Sequence, residues 1–320
     1  MLRQFFAGLV MAVFFTGAGA QAAFPNQPIR LVVPYPPGGF TDILARIIGK
    51  QLTESLQQPV IVDNKGGGGS IIGTENVAQA KPDGYTLLLV APDFAINESL
   101  AKKLPYNALS DFALISLAAY SPMVLAVNPS VPAKSVEELI KLAKAKPGTL
   151  NFASAGNGTG SHLTAEQFKN MAGIDIAHIP YKGMGPAATA LIGGEVSVMF
   201  LQLAVAAPHA AAGKLRVLAM PGAERSAIMP DVPTLNETVL PGFSVSPWFG
   251  IVAPAGTPKP VVEKLNQAIS HVMSLPEVKE QLAKQGAEAA SSTPEEFAAF
   301  VKAEIPHWAE VVEKSGARID

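Results

Sequence analysis

The 320-residue chain is 48% hydrophobic and 16% charged, with a net charge of −2 and no cysteine. Such a length has room for two domains and a core that needs no disulfide, while the near-neutral balance excludes the concentrated basic surface of a nucleic-acid binder. A lipid anchor through a cysteine is excluded as well.

Met1 to Arg3 make a short basic start, residues 5–15 an almost unbroken apolar stretch, and Ala18-Gly19-Ala20 and Ala20-Gln21-Ala22 two small-x-small cleavage sites. The apolar core is shorter than the roughly 18–20 residues that span a bilayer. Residues 1–22 therefore read as a secretory signal peptide cleaved after Ala22, and the rest as a soluble exported protein.

Ile29-Arg30-Leu31-Val32-Val33 is short, β-branched and bounded by prolines, which predicts a buried strand. Ile43, Leu44, Ile47, Ile48 and Leu52 then recur at helical spacing, with Thr41 or Asp42 placed to cap the first turn. Between strand and helix lies the bend Tyr35-Pro36-Pro37-Gly38-Gly39-Phe40-Thr41-Asp42. Its glycines let the backbone approach a ligand, and the free N–H groups of a helix start favour an anion. No lysine or arginine lies in the bend, so neutral dipoles must hold that anion; the stretch reads as a carboxylate-binding loop. Tyr35 and Phe40 are placed either to line an aromatic-acid pocket or to pack inward.

Residues 60–62 predict a second strand, followed by Asn64-Lys65-Gly66-Gly67-Gly68-Gly69-Ser70. Neither phosphate-loop spacing can be written through this run, which leaves a surface loop ending in Ser70 as a helix cap. Residues 86–90 predict a third strand, and Ala91-Pro92-Asp93-Phe94 the connection after it. This βαβ alternation predicts a mainly parallel sheet with helices on its faces, where ligands sit beyond the carboxyl ends of the strands. Pro92 would then share an edge with the opening bend.

Apolar segments from Leu114 are broken at Ser121-Pro122 and Asn128-Pro129. A helix follows, with Ser135 and Glu138 as a capping box, Leu139 and Leu142 as its apolar face, and Pro147-Gly148 as its stop. Residues 150–154 then predict a strand, residues 155–160 a glycine loop, and residues 161–172 a helix. The opening architecture is repeated without its sequence, so Ser154, Asn157, Gly158, Thr159, Ser161 and His162 become candidates for a second ligand loop. Two such units predict two lobes, each pointing a helix start at one ligand.

Ser154 and His162 also allow an exported hydrolase or lyase acting on a small acid. The spacing does not fit a nucleophile elbow, because Phe152 stands where Gly-x-Ser-x-Gly needs glycine. His178, His209, His271 and His307 are assigned packing or hydrogen-bonding roles, and no metal motif or cofactor is expected. Residues 177–180 predict a strand, residues 186–191 a helix ended by Gly193-Gly194, and residues 196–200 and 215–219 two further strands around an alanine-rich stretch. Tyr181 is either a ligand wall or a packed ring, and the adjacent Lys182 either pairs with a carboxylate or stays solvated. The last third is helical apart from an apolar stretch at residues 243–253, with Thr293 and Glu296 capping a final helix that runs towards Lys314.

Several motifs together carry a resemblance. Pro28-Ile29-Arg30-Leu31-Val32-Val33-Pro34, Pro37-Gly38-Gly39-x-x-Asp42-x-x-Ala45-Arg46, Ala80-Lys81-Pro82-Asp83-Gly84-Tyr85-Thr86-Leu87, Ser161-His162-Leu163, Pro180-Tyr181-Lys182-Gly183, Pro230-Asp231-Val232-Pro233-Thr234, Ala253-Pro254-Ala255-Gly256-Thr257-Pro258 and Thr293-Pro294-Glu295-Glu296-Phe297 occur in order along the chain. In this it resembles the Bug family, the extracytoplasmic solute receptors of tripartite tricarboxylate transporters. The resemblance implies a periplasmic, two-lobed α/β binding protein of type II, each lobe a mainly parallel sheet flanked by helices. Lobe 1 would take residues 23–121 and 242–320, and lobe 2 residues 122–241. It implies a small carboxylate held by residues 37–42 and 154–162, partly through ordered water, a monomer, and membrane subunits of the transporter as partners. A ligand-dependent sensor without transport is a further alternative.

Two departures from the family pattern stand out. Asn64-Lys65-Gly66-Gly67 replaces an arginine-proline-glycine start, and Met199-Phe200-Leu201-Gln202 lacks an aspartate that commonly follows the Met-Phe pair. The second disfavours an amino-acid ligand, with Gln202 the residue placed to turn inward instead.

Overall fold

The computed structural model describes residues 24–315 and 317, so the predicted signal peptide, residues 1–22, lies outside the described residues. The chain opens with β1 (Ile29–Val33), α1 (Phe40–Leu56), β2 (Val60–Asn64), α2 (Ile71–Ala78), β3 (Thr86–Val90), α3 (Asp93–Leu100) and β4 (Phe112–Tyr120). It continues through β5 (Met123–Val127), α4 (Val136–Ala145), β6 (Asn151–Ser154), α5 (Gly160–Ala172), β7 (Ala177–Pro180), α6 (Met184–Gly193), β8 (Val198–Gln202), α7 (Leu203–Ala211) and β9 (Arg216–Ala219). The last part holds β10 (Trp248–Pro254), α8 (Lys259–Ser274), α9 (Pro276–Lys284), β11 (Glu288–Ala289) and α10 (Pro294–Ser315).

Two sheets result, in the orders β2-β1-β3-β10-β4-β11 and β7-β6-β8-β5-β9. Apart from β11 at one edge, both follow one plan. The strand that has just crossed from the other sheet, β10 in the first and β5 in the second, is inserted between the third and fourth strands of the host.

As expected, each sheet is mainly parallel in strand direction: β1, β2, β3 and β4 run one way in the first and β6, β7, β8 and β9 in the second, with β10, β11 and β5 running against them. Pairing is parallel at β1–β2, β1–β3, β6–β7 and β6–β8, but antiparallel wherever β5, β10 or β11 takes part. For β5 and β10 the cause is the crossing itself. Strands of a βαβ unit run out towards the gap between the sheets, whereas a strand arriving across that gap must enter from it and so runs the other way.

The predicted capping boxes appear as local hydrogen bonds. Glu138 N donates to Ser135 Oγ at 3.2 Å, while the Glu138 carboxylate takes the preceding N–H, that of Lys134, at 2.6 Å. At α10 the box is reciprocal, with Glu296 N to Thr293 Oγ1 at 3.1 Å and Thr293 N to Glu296 Oε2 at 2.8 Å. The segment predicted as a connection after β3 is helical from Asp93, because Pro92 supplies a helix-compatible φ of −52° and the carbonyls of Ala91 and Pro92 accept the first N–H groups.

One apolar cluster joins the two halves: Phe152 of β6, Phe168 of α5 and Phe200 of β8 share it with Phe94 of α3, Trp248 of β10 and Phe297 of α10. Burying each such ring contributes on the order of 1.5–3 kcal/mol. Helix α10 closes this core from outside. Its Glu304 Oε2 accepts from both Trp248 Nε1 at 2.8 Å and Trp308 Nε1 at 2.9 Å, and the Lys314 carbonyl accepts from Asn170 of α5 at 3.1 Å.

Candidate functional site

Residues 34–39 turn the chain from β1 into α1. Gly38 sits at φ +95°, a left-handed backbone that side chains resist, and its N–H donates to Asp42 Oδ2 at 3.2 Å. Gly39, in extended conformation, is the N-cap, so neither Thr41 nor Asp42 plays the capping role expected of them; α1 begins one residue earlier, at Phe40. Asp42 braces the loop instead. It also pairs with Arg46 at 2.9 Å and accepts from Asn64 Nδ2 at 3.1 Å, and that amide donates to the Tyr35 carbonyl at 3.1 Å. Burial pushes the Asp42 carboxyl up, but the bonds from Arg46, the Gly38 N–H and Asn64 hold it below its usual value.

The second loop follows β6 and is tied to itself. Thr159 Oγ1 donates to the Gly156 carbonyl at 2.8 Å, and Ser161 Oγ accepts from Ala155 N at 3.0 Å. Beneath it His162 Nδ1 accepts from Gly158 N at 3.2 Å. The His162 ring stacks on His178 with centroids 4.0 Å apart, and His178 stacks on Phe152 at 4.7 Å. Burial first, then the neighbouring His178 and Lys169, depresses His162 to about 3; burial and Lys169 depress His178 to about 4. Both rings are therefore neutral at pH 7, packed as loop supports.

The two loops face each other across a cavity of about 50 Å³. Tyr35, Gly39, Phe40, Thr41, Pro92 and Asp93 line it from the first sheet's side; Ala155, Thr159, Gly160, Ser161, Met184 and Gln202 line it from the second's. Met123, Pro247 and Phe249 close it near the crossings between sheets. A water molecule needs roughly 10–15 Å³ of such space, so the closed cavity holds a group of only a few heavy atoms. It shares Tyr35, Pro36, Ala155 and Thr159 with a wider mouth of about 720 Å³, lined also by Pro37, residues 66–70, Asn157, Tyr181, Lys182 and Gly183.

The halves touch at this level. Gly183 has φ +120°, and a Cβ placed on it would come 3.1 Å from Pro36 Cδ across the gap. A side chain there would hold the two halves apart.

Both α1 and α5 start at the inner cavity, and no lysine or arginine lines it. Its one acid is Asp93, 1% exposed, whose Oδ1 accepts a hydrogen bond from the Tyr35 hydroxyl. Burial raises Asp93 to about 6 against the lowering effect of the Ser70 and Tyr35 hydroxyls, and Tyr35 is pushed well above its ordinary value, mainly by its own burial.

Of the residues singled out from sequence, Tyr35, Gly39, Phe40, Thr41, Pro92, Thr159, Ser161 and Gln202 meet at the inner cavity, and Pro37, Asn157 and Tyr181 at the mouth. Gly38, Asp42, Ser154, Gly158 and His162 line neither. Ser154 is fully buried and its Oγ lies 2.6 Å from His178 Nε2, so its histidine neighbour is not the one paired with it by sequence. Asp93 and Met184 were not singled out. An acid in the first turn of a helix reads as an ordinary cap, and nothing near Met184 in sequence shows that it will meet Gly39 across the gap.

Residues 44–317 match the family model described as the tripartite tricarboxylate transporter family receptor. The chain belongs to this receptor family. Protein BugT of Bordetella pertussis is 39% identical over 317 residues, covering 97% of each chain. Among solved structures of receptor-family likeness, the periplasmic binding protein BugD is 36% identical with a TM-score of 0.89, covering 92% of this chain and 99% of its own. Rpa4515 of R. palustris with adipate is 33% identical with a TM-score of 0.89, covering 92% and 100%. MatC of Rhodopseudomonas palustris with bound malate is 34% identical with a TM-score of 0.86, covering 90% and 100%. The family model is named for a receptor and BugD for a periplasmic binding protein, so this chain is a receptor rather than an enzyme, and it shares the two-sheet α/β fold of a type II periplasmic binding protein with these solved structures.

Proposed function

We propose that this receptor encloses a small carboxylate between the starts of α1 and α5 in the periplasm and presents it to the membrane subunits of a tripartite tricarboxylate transporter. The observation that carries the reading is the meeting of two helix N-termini at one cavity whose inner wall has no cation. Adipate in Rpa4515 and malate in MatC support the ligand class. Among the described residues no helix is long and apolar enough to cross a membrane.

In this reading two lobes, residues 23–121 with 242–320 and residues 122–241, rock about the crossings and act as a monomer. Phe40, Thr41, Thr159 and Ser161 frame the carboxylate, and Tyr35, Pro92 and Gln202 shape its surroundings. Hydrogen bonds to a charged group contribute roughly 1.5–3 kcal/mol each and a helix start roughly 0.3–1 kcal/mol, up to about 2 when partly buried. Four or five such donors offset closure and desolvation and leave about 8 kcal/mol, a micromolar dissociation constant. Neutral dipoles also release the anion readily when the lobes part.

Isothermal titration calorimetry across mono-, di- and tricarboxylates, aromatic acids and amino acids tests this. Micromolar binding is expected, with the ligand recovered unchanged after long incubation. Thr159→Pro, which removes both the N–H and the hydroxyl that tie the loop to the Gly156 carbonyl and so displaces the start of α5, should abolish the ligand-induced thermal shift. No binding by any acid, or an unchanged shift in that variant, overturns the proposal.

A further inference from the structure

Within the inner cavity the acceptors outnumber what the protein itself supplies to them. Asp93 is 1% exposed, and while its Oδ1 takes the Tyr35 hydroxyl, its Oδ2 is buried with no hydrogen-bond partner. From the opposite sheet Gln202 lines the same cavity, and its Oε1 is likewise buried and unpartnered. Asp42 shows the contrast: it is 5% exposed, yet both its oxygens are taken by Arg46, Asn64 and the Gly38 N–H. A buried carboxylate oxygen left without a donor costs several times an ordinary hydrogen bond, and a structure tolerates it where something else supplies the donor.

We propose that Asp93, with Gln202 opposite, forms an acceptor subsite for a ligand ammonium group, so that the small acid enclosed here is an amino acid. The inference rests on the carboxylate-receptor reading and names the second group of that ligand. Charge balance argues for a cation rather than a hydroxyl. The inner wall carries no lysine or arginine to neutralise Asp93, so a second carboxylate placed there would meet a like charge in a desolvated space. A zwitterion instead leaves its carboxylate to the helix starts and its ammonium to Asp93. The missing aspartate after Phe200 thus does not exclude an amino acid: the acid comes from α3 of the other sheet.

Around Asp93 the titratable neighbours are Tyr35 and Tyr106, with Glu98 acting on Tyr106; Ser70 and Asn97 contribute neutral groups. Both tyrosines are held above their ordinary range, so Asp93 is the group of this cluster that changes charge near pH 6. Losing that charge removes the partner of the ammonium.

The test uses calorimetry on the full mature chain with L-alanine, L-serine and L-aspartate against lactate, malate and adipate, from pH 7.5 to pH 5. One or more amino acids should bind more tightly than its hydroxy or dicarboxylate counterpart, with affinity falling about tenfold between pH 7 and pH 5 as Asp93 protonates. Asp93→Asn should weaken amino-acid binding at least about tenfold and flatten the pH profile; if that variant does not fold, the wild-type profile alone decides. Tighter binding of malate or adipate that strengthens as pH falls would mean a protonated Asp93 donating to a second carboxylate, which overturns this inference but leaves the carboxylate receptor intact. Amino-acid binding indifferent to both pH and Asp93→Asn overturns it as well. Failure of all six probes counts against the receptor reading itself.

Discussion

Replacing His162 with glutamine removes a titratable ring from beneath the second ligand loop while keeping an acceptor for the Gly158 N–H. In the native protein burial, His178 and Lys169 depress His162 to about 3, against about 6.5 for a histidine in the unfolded chain. Between those values the unfolded state takes up a proton that the native state refuses. The contribution of His162 is therefore fully present above pH 6.5 and is lost as pH falls, by about 1.4 kcal/mol per unit, reaching about 2 kcal/mol at pH 5. His178 acts in the same direction with a smaller share, because it is less deeply buried. Asp93 acts oppositely: its raised value means a contribution that is present below about pH 4 and lost as pH rises through about 6. The difference between wild type and His162→Gln, measured by urea unfolding from pH 8 to pH 5, cancels Asp93 and isolates the ring. It should shrink by about 2 kcal/mol over that range. A constant difference, together with an NMR titration of the His162 ring near 6.5, would refute the packing argument.

Glu304→Ala leaves the indole N–H groups of Trp248 and Trp308 without their acceptor beneath α10, and roughly 1–3 kcal/mol per orphaned donor predicts a loss of about 2–6 kcal/mol in urea unfolding. Gly183→Val puts a branched side chain at φ +120° against Pro36, so ligand affinity should fall at least about tenfold while small-angle scattering shows no ligand-induced compaction. A variant that binds and compacts like wild type would mean that the two halves do not meet there on closing.

Both strand, glycine-loop and helix units were legible because their signals are local. Ile29–Val33 and Asn151–Ser154 are short apolar runs, followed by glycines and then by apolar residues at helical spacing. The caps at Ser135 and Thr293 are equally local, lying within three residues of their partners. What escaped depends on contacts made far along the chain. Trp248–Pro254 is buried at every position, so its sequence shows an apolar run without direction, and its antiparallel insertion is decided only by the return crossing. Ser154 and His162 flank one loop in sequence, but the histidine beside Ser154 is His178, brought alongside by the β6–β7 pairing. Asp93 escaped because its importance lies in what it lacks, a donor for Oδ2, which no pattern of residue types displays.

In the proposed binding mode the carboxylate sits between two helix starts rather than on a cation. The most direct measurement is a nitrogen-15 NMR titration of the assigned receptor with whichever acid binds in calorimetry. The largest amide shifts are expected at Phe40 and Thr41 and at Gly160 and Ser161, saturating together at the calorimetric affinity. Shifts confined to Lys182 and the glycine-rich residues 66–69 at the mouth would contradict it.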